Sequence, residues 1–159
     1  MDRRGSRPRR RASWCTQGGA EIAVIGLDTN ILLRWLLDDS IVADDAPAQT
    51  ELVSRTILES GETFFVNDIV LAETIWVLRN KVGQSRKVVE EIVNRLLCSV
   101  NVETANPAVV RRALDAFVKG KADFADYLIA ELNVEAGCST TLTFDGKASL
   151  HPSFSRLGK

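Results

Sequence analysis

Asp28, Glu73, Asp126 and Asp145 stand far apart in this chain, and each lies where an apolar run meets a helix or a turn. Carboxylates drawn together from such places bind a hard cation through oxygen. A hard cation beside open surface activates water and polarises a phosphoryl oxygen, so hydrolysis of a phosphate ester is the chemistry this set points to. The four acids sit in the phrases "VIGLDTNILLRWLL", "VLAETIWVL", "FADYLIAEL" and "TTLTFDGK". No histidine or cysteine base is required, and the single histidine, His151, lies outside all four phrases.

Each acid also has a plainer reading. Asp28 follows an apolar run and could cap a helix; the next two residues, Thr29 and Asn30, can cap it instead, which would leave Asp28 free to face a cleft. Glu73 has mostly apolar neighbours, and Asp68, five positions away, does not share its face, so no acidic stripe accounts for it. Asp123 and Asp126 are one helical turn apart, and acids at a helix start complement the helix dipole. Asp126 borders the core face and is the preferred ligand, with Asp123 as cap and supporting member. Asp145 precedes a glycine, a strong turn signal; Thr143 beside it offers a hydroxyl that could orient a carboxylate or a water.

The elements that must position these residues alternate between strand and helix. Strands are expected at Ile22–Leu27, Thr63–Val66, Val100–Val102, Thr140–Phe144 and near Phe154–Leu157, the first of them a short continuous apolar run of the kind buried in parallel sheets. Helices are expected over Asn30–Leu37, Asp44–Leu58, Asp68–Asn80, Ser85–Leu97, Pro107–Val118 and Phe124–Ala136. Pro107 would open one and Gly120 would stop it. This alternation predicts an α/β fold of three α/β/α layers with a short, mostly parallel central sheet. Ligands of such sheets bind beyond the carboxyl ends of the strands, where Asp28 and Asp145 both fall.

Length and composition bound the rest. The chain has 159 residues, 45% of them apolar, enough for one domain with a buried core. No apolar run is long enough to span a membrane. Cys15, Cys98 and Cys138 are odd in number and lack metal or disulfide spacing, which points to a reducing, cytoplasmic setting. Residues 1–21 read as a basic leader outside the patterned domain at 22–159. Within the first twenty positions six arginines stand against Asp2 alone; with the whole chain at −1, the remainder carries −6. So acidic a body does not hold nucleic acid by bulk electrostatics. The leader reads either as an arm that grips phosphates or as an extension from an upstream start.

Taken in order and spacing, the four phrases resemble the PIN-domain ribonucleases, most closely the VapC toxins of prokaryotic toxin–antitoxin pairs. The resemblance runs from about Val24 to Leu157. It implies that Asp28, Glu73, Asp126 and Asp145 are catalytic and hold magnesium, with manganese as a substitute, while Thr29, Asn30, Asp123 and Thr143 support them. It further implies hydrolysis of RNA to 5′-phosphate and 3′-hydroxyl ends, a VapB-like antitoxin whose tail lies in the acidic cleft, and a homodimer. Arg34, Arg79 and Lys81 are the cations nearest the motifs, and Leu32, Trp35, Leu36 and Trp76 are apolar residues for core or partner contact. The leader departs from the family, whose members begin near the first strand.

Two rival readings remain beside this one. The first is a PIN-like module that binds a partner without cutting RNA. The second is a phosphatase of the haloacid dehalogenase type, which also opens on a strand ending in Asp. That type expects a second Asp two positions on, where this chain has Asn30.

Overall fold

A computed structural model describes residues 24–37 and 46–158 of the chain. The basic leader, Cys15 and the expected helix start at Asp44 lie outside the described residues. The elements, in order, are β1 (Val24–Gly26), α1 (Thr29–Leu36), α2 (Ala46–Glu59), β2 (Thr63–Val66), α3 (Asp68–Asn80), α4 (Arg86–Leu97), β3 (Val102–Thr104), α5 (Pro107–Lys119), α6 (Phe124–Glu135), β4 (Thr141–Thr143) and β5 (Phe154–Arg156). A 3₁₀ turn over Ala148–Leu150 joins the last two strands.

Local chemistry explains the helix boundaries. The Asn67 Oδ1 accepts the Ile69 and Val70 N–H groups and so starts α3. That helix buries Leu71, Thr74, Ile75 and Leu78, a stripe of one helical face, and leaves Glu73 and Trp76 exposed. Ser85 caps α4 through the Val88 N–H. Pro107 opens α5, whose Val109, Val110, Ala113, Leu114 and Phe117 all enter the core. Burial of one such large side chain stabilises the fold by about 1.5–3 kcal/mol. α5 packs chiefly against α6, which buries Phe124, Tyr127, Leu128 and Ala130, with Phe117 and Phe124 meeting edge to face.

The architecture is the expected α/β/α arrangement around short strands, and all strand pairs are parallel. β2 lies between β1 and β3, with Ile25 opposite Phe64 and Phe65 opposite Glu103. β4 pairs with β5 in a separate ladder, Leu142 opposite Ser155. Among the described residues the strands thus fall into a three-stranded and a two-stranded ladder. β1 is consequently an edge: Val24 is 59% and Ile25 41% exposed, not buried as a central parallel strand would be. β4 shows the same exposure at Leu142.

One further expectation shifts. β3 begins at Val102 instead of Val100, because Val100 is fully exposed and only Val102 and Thr104 turn inward. Of the two uses open to the apolar residues of α1, core and partner contact, Leu32 takes the first: it is wholly buried, with Trp35 and Leu36 packed partly buried against the same core.

Candidate metal centre

Asp28 lies two residues beyond the end of β1, and its Oδ1 accepts the Ile31 N–H at 2.8 Å, capping α1. The capping role expected of Thr29 or Asn30 therefore belongs to Asp28 itself. The extended backbone at Asp28 brings its own carboxylate over the first free N–H groups of the helix. Thr29, released from capping, donates its Oγ1 hydrogen to Glu73 Oε2 at 2.6 Å. That bond ties the start of α1 to the second turn of α3. Asn30 is exposed, and no side-chain bond marks it among the described residues.

The other two acids form a second group. Asp123 precedes α6, and its N–H donates to Asp126 Oδ2 at 3.0 Å, the reciprocal arm of a capping box. Burial pushes the Asp126 carboxyl above the usual aspartate range, and the nearby charges of Asp145 and Asp123 add to the rise. Asp145 moves the other way. Its Oδ1 accepts the Ala148 N–H at 2.9 Å and the Lys147 N–H at 2.5 Å, and these bonds hold its carboxyl low, helped by the charges of Lys147 and Arg156. Thr143 supports this turn by accepting the Asp145 N–H on its Oγ1 at 2.9 Å.

The described residues thus place the acids in two groups, Asp28 with Glu73 through Thr29, and Asp126 with Asp145 and Asp123. No set of three or more acids, cysteines or histidines gathers at metal-binding range among them. Their hard oxygen donors suit magnesium or manganese in kind. Each carboxylate has one oxygen engaged within the chain, which leaves the second for a ligand.

Between α3 and α6 runs a groove of about 430 Å³, lined by Asp68 and Glu73 together with the apolar Ile69, Trp76, Leu128 and Ile129. Burial raises the Asp68 carboxyl above its ordinary value. Lys81 stands 5.5 Å from the Trp76 ring centre, a cation–π contact at the edge of the same helix.

A family model described as the PIN domain matches residues 25–151, a span that holds all four acids. The chain belongs to the PIN domain family. The crystal structure of Mycobacterium tuberculosis VapC20, a sarcin-ricin loop cleaving toxin, is 17% identical to this PIN domain chain. That comparison covers 80% of this chain and 94% of VapC20, with a TM-score of 0.35. No curated protein matches the chain. No helix among the described residues is long and apolar enough to cross a membrane.

The PIN domain's second acidic group rests on contacts of Arg86 and Tyr127 that carry no signal in the sequence. Arg86, at the start of α4, donates to the carbonyls of Phe117, Lys121 (3.3 Å) and Ala122 (2.8 Å), and its guanidinium lies 4.2 Å from the Phe117 ring centre. Tyr127 accepts the Ala122 N–H on its hydroxyl at 3.2 Å. A Cβ on Gly120 would lie 1.7 Å from that hydroxyl, so only glycine fits there. Together these contacts pin the α5–α6 turn from which Asp123 and Asp126 follow. The sequence shows Arg86 only as a generic charge at a helix start; its three carbonyl partners lie more than thirty residues away.

Proposed function

We propose that this PIN domain is a magnesium-dependent endoribonuclease, the toxin of a toxin–antitoxin pair, held in check by a VapB-like antitoxin. The observation that carries this reading is the family match across residues 25–151, which spans the four acidic phrases in order. Asp28, Glu73, Asp126 and Asp145 would hold the ion, and Thr29, Asn30, Asp123 and Thr143 would support them. The ion, when bound, supplies an activated water and offsets charge growing on the phosphoryl oxygens.

The chain's own residues do the rest. Thr29 fixes the rotamer of Glu73, and the Asp28 cap sets the angle at which α1 leaves β1. The Asp123 backbone orients Asp126, while the Lys147 and Ala148 N–H groups orient Asp145 and keep it ionised. An antitoxin segment of mixed apolar and basic character suits the α3–α6 groove, whose lining is apolar apart from the two acids Asp68 and Glu73. Homodimer formation and a cytoplasmic setting belong to the same reading.

RNA cleavage by wild type and Asp28→Asn, each with magnesium and with EDTA, tests it. Cleavage confined to wild type with magnesium is expected, and equal activity in all four conditions sinks the reading. One observation favours a second reading, a PIN-like module that binds without cutting: no three acids gather among the described residues. Magnesium titration by calorimetry separates the two, since an inert module shows no heat that Asp28→Asn or Asp126→Asn removes.

A further inference from the structure

We propose that a hollow between the α5–α6 turn and Leu150–His151 seats a phosphodiester group of the RNA strand. The proposal rests on the nuclease reading above and adds where the strand runs.

The hollow measures about 410 Å³ and is lined by Lys119, Gly120, Lys121, Tyr127, Leu150 and His151. Its charged groups are two lysines, and no carboxylate lines it. The α3–α6 groove has the opposite character, with Asp68 and Glu73. Outside its first twenty residues the chain carries −6, so a polyanion must find its cations locally. Lysine supplies a point charge to a phosphate without demanding a base identity.

Position adds to charge. The residues that wall the hollow are continuous in sequence with the second acidic group: Tyr127 follows Asp126, and Leu150 and His151 follow the turn in which Ala148 donates its N–H to Asp145. The wall is also rigid. Arg86 grips the carbonyls of Lys121 and Ala122, and the Tyr127 hydroxyl takes the Ala122 N–H, so the lysines flank a fixed turn. The His151 ring packs edge-on to the buried Tyr127 with centroids 5.4 Å apart, which fixes His151 at the wall of the hollow. The plainer role of Lys119, a cation at the last turn of α5, accounts for one charge and not for the pair or the hollow.

The test uses the full chain carrying Asp28→Asn, so that RNA is not consumed, and a fluorescein-labelled single-stranded RNA of mixed sequence. Anisotropy titrations over a range of KCl concentrations give affinity and its salt slope. Adding Lys119→Ala and Lys121→Ala should weaken binding several-fold at low salt and flatten the log–log slope by about 1.4, on the order of 0.7 for each phosphate no longer neutralised. Lys119→Arg with Lys121→Arg should keep both. A control pair of equal charge change on exposed α4 positions, Lys87→Ala with Arg95→Ala, should leave the slope near its starting value; the leader's arginines are common to every variant. An unchanged slope in the lysine pair, an equal fall in the control pair, or no RNA binding at all overturns the seat. If wild type cuts RNA while binding ignores the lysines, the seat fails and the nuclease reading stands. If binding depends on the lysines but wild type cuts nothing, the seat stands and the nuclease reading fails.

Discussion

Thr29 donates its hydroxyl hydrogen to Glu73 at 2.6 Å across forty-four positions of sequence, and this bond joins the first acidic phrase to the second. Thr29→Val removes the donor at nearly constant volume. Because the bond is exposed, stability should fall by no more than about 1 kcal/mol, while magnesium-dependent cleavage drops by roughly tenfold or more through a freed Glu73 rotamer. Thr29→Ser should restore activity. A Thr29→Val enzyme with wild-type kcat and KM would separate Glu73 from the reaction.

Asp28 caps α1 and is a proposed ligand, and two substitutions separate these roles. Asparagine remains a good cap, whereas alanine loses about 0.5–2 kcal/mol. Both variants should abolish cleavage, but only Asp28→Ala should shift the urea midpoint. Should Asp28→Asn cleave RNA normally, the carboxylate is structural alone.

Gly120 faces the Tyr127 hydroxyl so closely that Gly120→Ala must displace the ring or the turn. Overpacking of this kind costs about 1–3 kcal/mol. Tyr127→Phe in the same chain should recover part of the loss, since the hydroxyl is the nearest atom. Strict additivity in a double-mutant cycle of thermal melts would show that the strain lies elsewhere.

Arg86→Met should destabilise by about 1–3 kcal/mol, because the carbonyls of Phe117, Lys121 and Ala122 are each left without a charged donor. Arg86→Lys should recover only part, as one ammonium cannot span three carbonyls in a fixed plane. Full recovery by lysine, read from denaturation curves, would reduce the role to simple charge.

Asp68 is held above its ordinary value of 3.8 by burial. The folded state therefore favours the protonated form; its contribution to stability is complete below that ordinary value and is lost as pH rises through the raised one. Asp68→Asn should stabilise the protein at neutral pH and have little effect in acid. Urea denaturation at the two pH values checks this, and a gain of the same size in both would remove burial as the cause.

The ends of β2 and α3 were legible to the residue, because Gly61, Asn67 and a clean apolar stripe mark them. The places of Asp28, Asp126 and Asp145 near element ends were legible too. What the sequence hid was tertiary. Whether Asp28 or Thr29 caps α1 depends on which side chain Glu73 claims, and Glu73 is a long-range neighbour. Arg86 looked like any cation opening a helix until its distant carbonyls were in place. Strand composition could not say which strand lies at an edge, since Val24 and Ile25 are as apolar as any central strand while standing open to solvent.

The engagement of one oxygen from each acid has a thermodynamic consequence. An ion taken up by the second oxygens of Asp28, Glu73, Asp126 and Asp145 would be a cross-link between the two acidic groups. Ligand at a hundredfold excess over its dissociation constant adds about 2.7 kcal/mol to the folded state. Free magnesium would then enter the folding equilibrium itself, and the melting temperature would report the same binding event that arms the site.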